Sequence, residues 1–161
     1  MVCAKIIIKN AKKNDCSDLY EWRNDPETRK MFFVSRVITW DEHKKWFEDS
    51  LTNPNKLLLL CYNVNKEKIG VVRFDIKDSI CLISVNLNPS KRGQGLSSKC
   101  IKESINFFIL KFPLCEKIVA IVKENNVKSI NSFISSDFIL LEKKNKKIFL
   151  EYSKNLAKKK I

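Results

Sequence analysis

Apolar and polar residues repeat along this chain with two different periods, and the switches between them mark its elements. Val85 and Leu87 alternate with Ser84, Asn86 and Asn88, the period of two that a half-buried strand shows. Pro89 donates nothing to a ladder and holds Asn88 extended, so the strand stops there. From Ser97 the period becomes helical. Ile101, Ile105, Phe108, Ile109 and Phe112 form one apolar stripe to about residue 112. Between the two lies Arg92-Gly93-Gln94-Gly95, a turn with little side-chain bulk.

The same pattern divides the rest of the chain. A short apolar strand covers 5–9. Asn14 or Asp15 can cap a helix over 16–23, with Leu19 and Trp22 on its apolar side. Asp25-Pro26 breaks it, and 27–33 is a second short helix. Thr39 with Glu42 forms a capping box for a helix to about 51, with Trp40, His43, Phe47 and Leu51 roughly aligned. Strands over 56–63, 68–76 and 80–87 read as an antiparallel meander. Gly70 inside the second marks a bulge or a close backbone approach. After the helix 96–112 comes a buried strand, 117–122, parallel to 80–87 by the right-handed crossover rule. A helix over 126–135 and a hairpin of 138–141 with 148–153 close the fold. The lysine run 154–160 reads as a solvated end.

Composition narrows the class. A chain of 161 residues is expected to form one domain, 1–161, with a real core. No apolar run is long enough for a membrane span, and residues 1–5 lack the apolar segment of a leader, so a cytoplasmic protein is expected. The cysteines at 3, 16, 61, 81, 100 and 115 are scattered without a C-x-x-C pair. They are expected to be reduced, with no metal among them. The net charge of +13 favours polyanionic partners. The lysines are spread through every element and no RNA-binding motif is present, which disfavours nucleic acid.

The strongest chemical signal is the turn after the strand 80–87. The free N–H groups of a first helical turn make an anion site, and glycines let a phosphate approach the backbone. The P-loop pattern is absent, and G-x-G-x-x-G fails because residue 98 is Ser. Arg92-Gly93-Gln94-Gly95-Leu96-Ser97 instead resembles the R/Q-x-x-G-x-G/A pyrophosphate loop of the GCN5-related N-acetyltransferases (GNAT), with Ser97 where the family has Gly or Ala. Trp22-Arg23-Asn24-Asp25-Pro26-Glu27 and the segment 38–47 resemble the RimJ/RimL type. They are most similar to enzymes that acetylate amino-sugar nucleotides for surface polysaccharides and flagellin sugars. Asn126, Ser129 and Ile130, with Phe138 beyond them, resemble the motif after the family's fifth strand. The resemblance runs from about residue 6 to 152.

The resemblance implies an α/β GNAT fold: a mixed, largely antiparallel sheet with about four helices, whose parallel strands 80–87 and 117–122 splay into a V. It implies acetyl-CoA as cosubstrate and no metal. The pantetheine arm would bond the backbone at Val85 and Leu87. The pyrophosphate would sit on Arg92, Gly93, Gln94, Gly95, Leu96 and Ser97, with Asn126 and Ser129 adding contacts. Asn126 caps its helix on any reading. The implied reaction is acetyl transfer to a primary amine, that of a nucleotide-linked amino sugar first and a protein N-terminus or other small amine second. A homodimer is compatible with it. A basic nucleic-acid-binding protein and a catalytically silent relative are the non-enzyme alternatives.

Acetyl transfer needs a neutral amine, a donor for the oxyanion and a proton for the thiolate. The positions where the family often carries carboxylates are Leu82 and Ile121, and its usual thiol-protonating Tyr is Phe133. His43, the single histidine, is the remaining candidate base; its place between Trp40 and Phe47 favours a core residue instead. Trp22, Arg23 and Trp46 could line the acceptor site. The tryptophans could instead be core, and Arg23 could pair with Asp25 or Glu27 rather than a phosphate.

Overall fold

A computed structural model describes residues 5–153 of the chain. The lysine run at 154–160 lies outside the described residues. Seven strands form one sheet in the order β1-β2-β3-β4-β5-β7-β6. They are β1 (Ile7–Asn10), β2 (Lys56–Tyr62), β3 (Lys68–Lys77), β4 (Ile80–Leu87), β5 (Lys117–Lys123), β6 (Ile139–Lys144) and β7 (Lys147–Ser153). Only β4 and β5 pair in parallel; every other neighbour is antiparallel. The helices are α1 (Cys16–Asn24), α2 (Pro26–Met31), α3 (Trp40–Thr52), α4 (Ser97–Lys111) and α5 (Val127–Ile134). These are the five helices the hydrophobic pattern places, one more than the family resemblance implies. The fifth is the short α2, which Asp25 starts by accepting a hydrogen bond from the Thr28 N–H at 3.0 Å, with Pro26 in the first turn.

Period-two alternation sorts the strand residues onto two faces. Leu57, Leu59, Val72, Phe74, Cys81, Ile83, Ile118, Ala120, Ile148 and Leu150 point one way. They pack on Cys100, Ile101, Ile105 and Phe108 of α4 and on Phe133 of α5. Phe74 and Phe108 stack with centroids 4.4 Å apart. Leu58, Leu60 and Val71 point the other way, under Leu19 and Trp22 of α1 and Phe47 of α3. The helices divide accordingly, α4 and α5 on one face and α1 and α3 on the other.

Local chemistry fixes the ends. Thr39 and Glu42 form the expected capping box of α3. Asp15, one of the two proposed caps of α1, makes no such bond. It accepts from the Lys12 N–H at 2.7 Å and pairs with Lys68 Nζ at 2.7 Å, tying the α1 entry to β3. Gly70 is a close approach: a Cβ there would lie 2.8 Å from the Asn86 carbonyl oxygen of β4.

Candidate active site

The parallel pair is short. Ile80 faces Lys117, Cys81 faces Ile118, and Leu82 faces Val119; beyond that row the strands separate. β4 still pairs with β3 through Leu87, so its polar groups on the β5 side have no strand partner from Ile83 onward. This is the V expected at 80–87 and 117–122, and Val85 and Leu87 lie on its open edge. An extended amide-bearing ligand can bond to such an edge as an added strand.

β4 leads straight into the glycine turn. Gly93 and Gly95 both take positive φ, +74° and +67°, and a Cβ on either would meet no protein atom within 4 Å. Gln94 is exposed between them. Leu96, buried on the sheet, holds the N-cap position of α4 but supplies no capping side chain. The first N–H groups of α4, beginning at Ser97, therefore face outward with the positive end of the helix dipole. Such a loop leaves its backbone open to an approaching anion. The Arg92 side chain turns elsewhere. Its Nη1 donates to Asp25 Oδ2 at 2.7 Å and its Nη2 donates to Thr28 Oγ1. Thr28 Oγ1 donates in turn to Asn86 Oδ1 at 3.3 Å. Arg92 thus anchors the glycine loop to the α1–α2 corner and to β4. Burial works against the Asp25 charge, but the Thr28 N–H and Arg92 outweigh it and hold the carboxyl below its usual range. At the far side of the V, Asn126 caps α5 by accepting from the Ser129 N–H at 3.2 Å.

On the face away from α4, the V opens onto Leu82 and Ser84 of β4 and Val119 and Ile121 of β5. Leu82 is 44% exposed there. The end of α2 and the connection that follows it, numbers 32–39, approach β5 and β7 at the rim of the V. Lys123 Nζ donates to the Lys30 carbonyl at 2.9 Å, and Lys147 sits 4.8 Å over the Phe33 ring. Arg23 joins this connection. It stacks on Phe32 at 4.4 Å and donates from Nη2 to the Val34 carbonyl at 2.6 Å. The pairing with Asp25 or Glu27 does not form, because Arg92 takes Asp25 and Lys30 takes Glu27. Arg23 Nη1 is buried without a hydrogen-bond partner. Burial, with the charges of Arg29, Arg36 and Arg73, pushes the Arg23 pKa down. Arg73 lies 5.9 Å over Trp46, so this tryptophan borders the arginine group.

Two expected site residues lie inside the protein. Trp22 is core, beneath α1. His43 is 2% exposed, ringed by Tyr20, Trp40, Trp46 and Phe47, with Nε2 2.9 Å from the Cys16 carbonyl. That contact makes Nε2 the protonated nitrogen of a neutral imidazole, and burial pushes its pKa down. A ring so enclosed has no open side from which to take a proton from an acceptor amine. Phe133 is buried in the core on the α4–α5 face of the sheet. The sequence reading passed over two carboxylates, Asp75 of β3 and Glu151 of β7. Cross-strand register places both in one row with Leu82 and Val119. Among the described residues no His, Cys, Asp and Glu cluster could hold a metal, and no helix is long and apolar enough to cross a membrane.

Residues 5–138 match the family described as the Acetyltransferase (GNAT) domain. No match to a curated protein sequence was found. Solved structures share the fold across almost the whole chain. A domain from Methanocaldococcus jannaschii superposes with a TM-score of 0.79 at 24% identity, covering 94% of this chain and 99% of its own. The aminoglycoside acetyltransferase AAC(6')-Ib in complex with coenzyme A gives 0.82 at 15% identity, covering 96% and 98%. The spermidine N-acetyltransferase of Vibrio cholerae, in complex with CoA and spermine, gives 0.78 at 13% identity, covering 91% and 92%.

Proposed function

The chain belongs to the GNAT acetyltransferase family, and from that premise we propose that it acetylates the amino group of a nucleotide-linked amino sugar. The donor is acetyl-CoA, and the reaction is N-acetyl transfer to an amine. The observation that carries the site assignment is the separation of β4 from β5 after the Leu82–Val119 row, leading directly into two left-handed glycines and an uncapped helix start. In this reading the pantetheine amides bond the free edge of β4 at Val85 and Leu87. The diphosphate lies on the N–H groups of 93–97, with Asn126 and Ser129 flanking the arm. Holding both reactants in the V supplies proximity.

The acceptor assignment rests on the RimJ/RimL-like segment 22–47 and on charge. Arg29, Arg36 and Arg73 lie close enough for their charges to act on Arg23. A polycation such as spermine is repelled by such a group, whereas a sugar bearing a diphosphate is attracted. The reaction is placed in the cytoplasm, with this one domain sufficient for it. The test is thiol release from acetyl-CoA with four acceptors: a nucleoside-diphosphate 4-amino sugar, a peptide N-terminus, spermidine and an aminoglycoside. The expected order of kcat/KM puts the nucleotide sugar first. Efficient acetylation of the peptide with no turnover of the sugar would overturn the acceptor assignment. No thiol release with any amine would point to a silent relative.

A further inference from the structure

An amine acceptor arrives as an ammonium ion at neutral pH and must lose a proton before its nitrogen can attack. The residues that line the apex of the V on the acceptor face cannot take one: Leu82, Val119 and Ile121 are aliphatic, and Ser84 is no base near pH 7. The cross-strand row through that apex reads Asp75, Leu82, Val119, Glu151, across β3, β4, β5 and β7. Directly paired residues share a face. Ile148 and Leu150 of β7 belong to the core under α4 and α5, so Glu151 points to the opposite, acceptor face. A carboxylate therefore stands on each side of the apex.

The two are not equivalent. Asp75 is engaged by Arg73 Nε at 2.8 Å, although that N–H is not aimed at the carboxylate oxygen. A guanidinium that close competes with an incoming ammonium for the carboxylate. Glu151 has no such partner. Its side chain is 12% exposed, and its one ionic neighbour, Lys117 Nζ, is 3.8 Å away. Every other acid that is not solvent-exposed among the described residues has a cation within 3 Å. Asp15 and Asp18 have Lys68, Asp25 has Arg92, Asp75 has Arg73, and Glu124 has Lys143. Glu151 is thus a largely covered carboxylate whose hydrogen-bonding capacity the fold leaves unused, at the point where the V begins. Leu82 lies two strand spacings away, about 10 Å of sheet. A glutamate side chain with one intervening water spans that width to an amine poised over the apex.

We propose that Glu151 is the general base of the acetyl transfer. The inference rests on the acetyltransferase reading above. Glu151 Oε accepts one proton from the ammonium, directly or through a water, and frees the nitrogen lone pair. The C–N bond forms at the thioester carbon. The intermediate collapses with C–S cleavage as the second N–H proton passes to the sulfur, leaving amide and free thiol. Glu151 then returns its proton to solvent.

The experiment compares the full chain with Glu151→Gln and Glu151→Asp, using acetyl-CoA with a nucleoside-diphosphate 4-amino sugar and with hydroxylamine, which is already unprotonated at neutral pH. Glu151→Gln is expected to lower kcat for the sugar about 100-fold at pH 7, within the range of a lost general base. Its rate should climb steadily with pH toward the value of the parent, while the KM for acetyl-CoA and the melting temperature stay unchanged. Glu151→Asp should retain part of the rate, and hydroxylamine turnover should fall only slightly in both. Equal losses with sugar and hydroxylamine, or a Glu151→Gln pH profile parallel to the parent's, overturn the assignment and leave the acetyltransferase reading intact. Absence of thiol release by the parent with both amines overturns the two together.

Discussion

Replacing Gly95 by valine separates what the glycine loop does for the fold from what it does for a ligand. The residue sits at φ +67°, so any β-carbon there carries the left-handed penalty, about 1–2 kcal/mol. A β-carbon there meets no protein atom within 4 Å, so the first atom of the side chain adds no clash to that cost. For a chain of this size the loss lowers the melting temperature by about 2–8 °C, at about 2–4 °C per kcal/mol. The protein stays folded at 25 °C. The valine enters open space two residues before the start of α4, where the proposed diphosphate rests. Displacing the phosphate from one charge-assisted hydrogen bond costs about 1.5–3 kcal/mol. At about 1.4 kcal/mol per decade that is roughly a 10- to 100-fold loss of acetyl-CoA affinity. Calorimetric titration with acetyl-CoA measures it, and a thermal melt supplies the stability control. A lowered melting temperature with unchanged affinity would refute the reasoning, because the loop would then be a helix entry and nothing more.

Gly70→Ala should act on the fold alone: its Cβ would press on the Asn86 carbonyl and on Leu87, and a backbone-limited overpacking costs about 1–3 kcal/mol, read as a lower denaturant midpoint. A midpoint equal to the parent's would show that β3 and β4 can spread there. His43 should set the stability between neutral and mildly acid pH. Burial lowers its folded pKa against the pull of the Cys16 carbonyl, with the Arg23 charge adding to the lowering, so the unfolded chain takes up the proton first. The stability is full above the unfolded value of about 6.5 and is lost as pH falls below it. His43→Gln should flatten the melting-temperature slope between pH 7 and 5.5, and an unaltered slope would contradict the buried neutral imidazole. Arg23→Ala should raise the KM of the sugar acceptor many-fold while leaving the KM of acetyl-CoA nearly unchanged; equal rises in both would make Arg23 a structural prop of the 32–39 connection.

The elements were legible because their periods are clean. Strand and helix patterns in 80–112 and the capping box at Thr39 placed β4, α4 and α3 within a residue or two. The glycine turn was legible for the same reason: it is local in sequence. The V, between strands that α4 separates, came from the family resemblance. Long-range partners were not legible. Arg92 stands in the motif, but its side chain goes to Asp25 and Thr28, 67 and 64 residues away, and no spacing rule announces that. His43 looked chemical because it is a lone imidazole. Its fate was decided by four aromatic rings from α1 and α3 closing around it. Glu151 alternates with Ile148 and Leu150, so its outward face could be read. That this face borders the apex of the V depends on β7 inserting beside β5, a pairing order the sequence does not state.

The central claim is that acetyl-CoA lies in the V between β4 and β5 with its diphosphate on the glycine turn. Amide hydrogen exchange with and without saturating acetyl-CoA tests it most directly, because the groups in question are backbone N–H groups. The account predicts slowed exchange confined to the free edge of β4 at 84–88, to 93–99, and to the start of α5 near Asn126. Firm binding of acetyl-CoA with protection elsewhere, and none at 84–88 and 93–99, would contradict it.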